Sequence, residues 1–238
     1  VPWAEVGAGA IATQAYANTS YGPRGLALLR EGLPASEVVR RLVADDPERE
    51  FRQVAVVDAR GGAAAHTGGG CLPWAGSRPG DGFSVQGNIL VSERTLVAMA
   101  ETFRGARGEL ADRLLSALEA GDAAGGDARG RQSAALLVER KAQGYGGFND
   151  RYVDLRVDDH GRPVRELRRL LEIQLGRDPL SRARRADHQG RPDEALAILK
   201  EDLREHPGWE ALVFQRAEIR LAHGDAEGGA RDLATLAS

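Results

Sequence analysis

The chain has 238 residues and a mass of 25.5 kDa, with 42% hydrophobic residues, 28% charged residues and a formal net charge of -3. That composition fits one large globular domain, or one domain with a small appendage, and excludes a disordered tail. There is no basic excess for nucleic acid, the single cysteine excludes an internal disulfide framework, and no apolar run reaches the ~20 residues of a membrane helix. Neither a nucleic-acid nor a membrane partner is expected. The chain opens at Val1, its only methionine is Met99, and no charged and apolar leader is seen. It is therefore read as missing residues at its start, and as cytoplasmic.

Small and apolar residues over 6–17 predict a strand that stops at the turn Asn18-Thr19-Ser20. A helix follows, with Pro23 near its first turn, Leu26 and Leu29 on one face and Gly32 beyond its end. The stripe Val38, Val39, Leu42, Val43 predicts a second helix that ends before Pro47. From Phe51 the period becomes that of strands, and FRQVAVVDA, Gly61-Gly62 and AAAHTG read as a β-hairpin. A glycine-rich loop containing Cys71, Trp74 and Pro79-Gly80 precedes a strand, FSVQGNILV. Ser92 is then placed as the cap of a helix carrying Leu96, Val97, Ala100 and Phe103, and Glu109 to Ala120 forms another helix. A loop over 121–132 leads to a second hairpin, SAALLVER and RYVDLRVDD, joined through Gly144 to Asn149. This order predicts an α+β domain of antiparallel sheets covered by helices.

Beyond residue 163 the pattern is helical, beginning with PVRELRRLLEIQL. An internal period of 34 residues relates Gly190 to Gly224, Arg191 to Asp225, Asp193 to Glu227 and Leu199 to Leu233. That spacing resembles the tetratricopeptide repeat, supported by Pro207 and Trp209, but at fewer than the ~3 repeats that stand alone. The tail must then pack on the main domain, on a second copy in a homo-oligomer, or on a partner.

No Walker A, GxGxxG, GxSxG or HExxH pattern is present, so no cofactor is expected. His66 and Cys71 fall short of the three or four ligands zinc needs, so no metal is expected either. His66 reads either as an imidazole bonded to a backbone carbonyl or as a catalytic group. Cys71 reads as a small buried residue or as a nucleophile. An amide in mid-strand beside Gly87 must find partners, so Asn88 is a candidate oxyanion donor, or else bonds its own turn. Thr13, Gln14, Asn18, Gln86, Asn149 and Asp150 are candidates for holding substrate, although the segment 144–152 reads equally as a wide hairpin with Asx turns.

The strings ATQAYAN, SYGPRGL, QVAVVDARG, AAAHTG, GFSVQGNIL, GRQSAALLV and YGGFNDRYVDLRVDD occur in order over residues 1 to about 175. Together they resemble the bacterial and archaeal family of unknown function DUF1028. The resemblance implies an N-terminal nucleophile (Ntn) hydrolase-like fold, a four-layer α-β-β-α sandwich, over 1–175. It also implies a helical extension over 181–238 of a kind labelled peptidoglycan-binding. Such hydrolases split amides with a first-residue Thr, Ser or Cys whose own α-amine is the base. Val1 cannot serve, so the nucleophile and about one β-hairpin are expected to be missing here. Two functions follow. One is an amidohydrolase on a small-molecule or peptide-like amide, with Asn88 on the oxyanion and either His66 or Asn149 and Asp150 orienting substrate. The other is a non-catalytic scaffold whose tail engages a protein or peptidoglycan through Trp209, Phe214 and its Arg-rich helices.

Overall fold

Small and β-branched residues alternate along Gly9–Gln14 and Gln53–Asp58, and these two segments form the middle of the first sheet. In the computed structural model, which describes residues 2–237, the chain divides into two units, 1–168 and 169–238. The first sheet is antiparallel in the order β1 (Pro2–Glu5), β2 (Gly9–Gln14), β3 (Gln53–Asp58), β4 (Ala63–Thr67). Helices α1 (Tyr21–Arg30) and α2 (Ala35–Ala44) cover one face, where Ile11, Leu26, Leu29, Val38, Leu42 and Val54 form a core. Gly25 lets α1 lie directly on β2, since a Cβ there would stand 2.3 Å from Ile11 Cδ1.

Pro34 precedes α2 and offers no side-chain cap, so the helix takes its cap from the end of β3. The Ala35 N–H donates to Asp58 Oδ2 at 3.0 Å, while the Arg60 and Gly62 N–H groups donate to Asp58 Oδ1. Burial alone would raise the Asp58 pKa, but these backbone donors hold it below the ordinary carboxylate value. One buried carboxylate thus ties a helix start to a hairpin turn.

The rest of the first unit consists of two hairpins and helices. β5 (Gly76–Gly80) pairs with β6 (Phe83–Gly87), and β7 (Ala134–Glu139) pairs with β8 (Arg151–Val157). Helix α3 (Arg94–Gly105) packs on β6 and α4 (Leu110–Ala123) on β7, with Phe83, Val85, Leu96, Ala100 and Phe103 between α3 and its hairpin. On their other side β5 lies against β4, β6 against β3 and β7 against β1. Arg168, in α5 (Pro163–Gln174), bonds Glu119 and Asp112 of α4. The molecule is a mixed α/β protein with small antiparallel sheets, as the patterning predicts.

Three local expectations change. Pro2–Glu5 and Gly76–Gly80 are strands although neither alternates; each is held by its partner's ladder rather than by its own pattern. β6 stops at Gly87, so Asn88 lies just past a strand end and not in mid-strand. Glu93, not Ser92, stands at the α3 cap position.

The second unit is helical, with α6 (Pro179–His188), α7 (Pro192–Glu205), α8 (Glu210–Ala222) and α9 (Ala226–Leu236) following the rest of α5. Gly190 (φ +74°) and Gly224 (φ +90°), 34 residues apart, turn the chain between α6 and α7 and between α8 and α9. Leu199, Leu203, Leu212 and Ile219 are buried together. Trp209 is half-buried against this core with its ring edge-on to His206, and Phe214 is exposed. The buried Asp232 carboxylate accepts from Arg216 at 2.7 and 2.9 Å and from Arg220 at 2.9 Å, which locks α9 to α8.

Candidate functional site

Strand parity sorts the candidate residues. Along β2, Ile11 and Thr13 point to the helices and are buried, so Ala10, Ala12 and Gln14 point the other way, toward β6. Along β3 the same alternation sends Val54 to the helices and Gln53 toward β6. Thr13 and Gln14, adjacent in sequence, therefore face opposite sides of the sheet. His66, paired with Val54, shares the helix side with Thr13, and its Nε2 lies 2.9 Å from Arg49 O.

Gln53 is wholly buried, and its carboxamide joins four strands. Its Nε2 lies 2.9 Å from Thr67 Oγ1 and 3.0 Å from the carbonyls of both Gly76 and Gly87. Its Oε1 accepts from Gln14 Nε2 and, at 3.5 Å, from Asn88 Nδ2. Gln86 Nε2 donates to Ala12 O at 2.8 Å, while Gln86 Oε1 is buried with no hydrogen-bond partner. Two expected residues, Gln14 and Asn88, thus meet at one buried amide, while a third, Gln86, bonds the backbone of β2.

These three line a cleft of about 1000 Å³. Its floor includes Thr95 and Met99 of α3 and Leu118 of α4, and its rim carries Asp127, Arg129 and Arg131. Thr95 is buried and its hydroxyl has no partner. Backbone strain concentrates here: Ala15 (φ +54°), Tyr16 (φ +45°) and the β-branched Ile89 (φ +54°) all line the cleft. Such conformations cost about 1–3 kcal/mol each and persist only where surrounding structure imposes them. Cys71 also lines the cleft, its thiol 3.4 Å from Arg52 O, with its pKa raised by burial. A thiol held in its neutral form is a poor nucleophile.

The other candidates lie elsewhere. Asn18 Nδ2 donates to Asp46 Oδ2 at 2.9 Å, and the same oxygen accepts from Tyr21 Oη at 2.8 Å and Arg52 Nε at 3.1 Å. Burial raises the Asp46 pKa, but those donors and the Glu48 N–H outweigh it and leave the carboxyl far below its ordinary value. Burial, and then the bond to Asp46, pushes the Tyr21 phenol well above its usual pKa. This knot fastens the loops at the ends of α1, α2 and β3. Asn149 and Asp150 border a separate hollow of about 520 Å³ beside Lys141 and Phe148. Asn149 Oδ1 accepts from the Arg151 N–H and Asp150 Oδ1 from the Ala142 N–H, so both hold their hairpin in shape. No cluster of His, Cys, Asp and Glu suited to a metal occurs among the described residues, and no described helix is long and apolar enough to cross a membrane.

Gln53 and Thr95 are the residues that sequence reading missed. A glutamine opening the run QVAVVD was a usable signal, because a buried amide must be paired on all its polar atoms. Thr95 carries no such signal on a helix otherwise read for its apolar face.

Residues 1–167 match the model of DUF1028, a family of unknown function. A crystal structure of a Silicibacter pomeroyi protein described by that same family is 32% identical, with a TM-score of 0.65. The match covers 72% of this chain and 72% of that one. No curated protein matches.

Proposed function

The chain belongs to the DUF1028 family, and we propose that its first unit is an amidohydrolase domain of N-terminal nucleophile type, with its site in the cleft beside Gln14, Gln86 and Asn88. On this reading the first sheet, the two hairpins and the flanking helix pairs are a four-layer α-β-β-α sandwich. The reading assigns the attacking Thr, Ser or Cys to none of the residues lining the cleft. The observation that carries the reading is the convergence of these carboxamides with a strained backbone at one cleft, an arrangement typical of sites that must be organised before substrate arrives.

The chemistry assigns a role to each. The nucleophile's oxygen or sulfur bonds to the carbonyl carbon of a small-molecule or peptide-like amide, and its proton passes to the α-amine. The C–N bond then breaks, the leaving amine takes that proton, and water hydrolyses the acyl intermediate. Asn88 is committed only to the 3.5 Å contact with Gln53, so its Nδ2 is free to turn to the developing oxyanion. Gln14 and Gln86 flank it as substrate donors and acceptors. The test is a panel of linear and cyclic amides offered to the gene product translated from its own start codon, with amine release as the readout. Turnover that falls about 100-fold or more in kcat in Asn88→Ala supports the role. Absence of turnover throughout, or turnover indifferent to Asn88, refutes it.

A scaffold role for the second unit is favoured by Phe214, Leu221 and Leu233, large apolar residues left exposed on α8 and α9. On this reading α6 to α9 are tetratricopeptide-like and present that face to a protein or to peptidoglycan. Cosedimentation with purified peptidoglycan, lost in Phe214→Ser, tests the glycan partner; sedimentation indifferent to Phe214 rejects it.

A further inference from the structure

The loop that joins β7 to β8 is tightly built, yet it leaves its aromatic rings in water. The Ala142 N–H donates to Asp150 Oδ1 at 2.8 Å and the Arg151 N–H to Asn149 Oδ1 at 2.9 Å, while the Gly144 and Gly147 N–H groups donate to the carbonyls of Asn149 and Gly144. Ala142 (φ +53°) is held in the left-handed region, where a residue other than glycine is strained, and Gly146 (φ +70°) and Gly147 (φ +76°) complete the turn. A Cβ at Gly146 would stand 2.8 Å from Cδ2 and Cε2 of Phe148, so only glycine there lets that ring fold over the backbone. Phe148 nevertheless stays 93% exposed and Tyr145 100%. Burying a phenylalanine side chain is worth about 1.5–3 kcal/mol, so a loop that fixes one outward withholds that gain from its own fold.

Phe148 lines the hollow of about 520 Å³ between this loop and the Val6-Gly7 turn that joins β1 to β2. That size falls within the ~300–1,000 Å³ of small-molecule sites, and the hollow shares no lining residue with the cleft. Its polar groups are only half used. The loop's own bonds take one oxygen each from Asn149 and Asp150, and Asn149 Nδ2, Asp150 Oδ2 and the Lys141 ammonium make no bond among the described residues. Lys141 and Asp150 cancel in charge, so a net anion would meet Asp150 and a net cation Lys141. The ligand that fits is neutral. Lys141 and Asn149 together offer more donors than Asp150 offers acceptors, which favours a ligand of hydroxyls, since each hydroxyl donates one bond and can accept two.

We propose that this hollow binds a neutral saccharide, which lays the C–H face of one sugar ring on Phe148 and spreads its hydroxyls over Asp150 Oδ2, Asn149 Nδ2 and Lys141 Nζ. A pyranose has this pairing of surfaces, an apolar C–H face bounded by a rim of hydroxyls, and an open aromatic ring beside free polar groups is its complement. Lysine suits the use. Lys141 is one of two lysines in a chain whose other basic side chains are arginines, and its ammonium turns three donors toward scattered hydroxyls, where the planar fork of arginine selects a carboxylate. The proposal stands whether or not the cleft hydrolyses amides, and it is separate from the apolar face of the second unit.

Isothermal titration of the 238-residue chain with cellobiose, maltose, lactose and chitobiose tests it. The expected result is that at least one of them binds with a Kd of about 1 mM or tighter, and that Phe148→Ala weakens it about tenfold or more. Lys141→Met, which keeps the stem and removes the donors, should weaken it about threefold or more. Tyr145→Ala, at a ring that does not line the hollow, should leave the Kd within about twofold. All three positions are exposed, so none of these variants endangers the fold. No binding of any of the four sugars up to about 10 mM, or equal losses in Phe148→Ala and Tyr145→Ala, overturns the site. Tighter binding of L-phenylalanine, a zwitterion with an apolar ring, than of every sugar overturns the ligand class. Sedimentation equilibrium in which Phe148→Ala dissolves a dimer gives the ring to a second copy and overturns it as well.

Discussion

Replacing Gln53 with leucine keeps the volume and removes the amide. Nε2 has two protons to share among Thr67 Oγ1, Gly76 O and Gly87 O, so the substitution strands about two buried acceptors, and Gln14 Nε2 loses its own. Each buried group left unpaired costs about 1–3 kcal/mol. Gln14 is only half-buried and can turn to water, and the leucine regains about 1 kcal/mol of apolar burial. The net expectation is a loss of about 3 kcal/mol, close to a 100-fold change in the folding constant. Trp3 and Trp74 lie in the first unit and Trp209 in the second, so urea melts followed by tryptophan fluorescence in a Trp209→Phe background report the first unit alone. Gln143→Leu, at an exposed position, serves as the control. A cost below about 1 kcal/mol, or one no larger than that of the control, would refute the view that Gln53 is the amide that joins the strands.

Asp46 has a folded pKa below its unfolded value of ~3.9, so its stabilisation is complete above that pH and is lost as pH falls toward the folded value. Urea melts from pH 7 to pH 2 should show this decline in the parent and a much flatter profile in Asp46→Asn, which starts about 1–3 kcal/mol lower at neutral pH because Arg52 keeps Glu48 but loses the charge of Asp46. Asp58→Ala removes the acceptor of three backbone N–H groups and should cost about 2–4 kcal/mol, with faster amide exchange at Ala35 and Gly62. In the second unit, Asp232→Asn should destabilise the helical tail by about 2–4 kcal/mol, since Arg216 and Arg220 are only partly exposed. Trp209 fluorescence reads that transition, and a cost under about 0.5 kcal/mol would place the arginines in solvent instead.

Much of the fold was legible in the sequence because its signals are local. The stripe Val38, Val39, Leu42 set α2, the alternation around Gly61-Gly62 set the β3–β4 hairpin, and the glycines 34 residues apart marked the paired helices of the tail. The site was legible only in part. Gln14, Gln86 and Asn88 do converge, but Thr13 and His66 fall on the other face of the sheet, and Asn18, Asn149 and Asp150 serve turns and knots. Residue type alone could name amides that need partners; it could not say which face of a strand each would occupy.

Sequence alone, then, determined the element order, the helical character of the tail and the family resemblance, because periodicity and turn chemistry act over a few residues. Tertiary structure decided that Gln53 is the hub, that Asp58 caps a helix more than twenty residues before it, and that β6 lies over β3. Those facts depend on register and on which strand lies over which. They arise only when distant segments pack, and no local pattern encodes them.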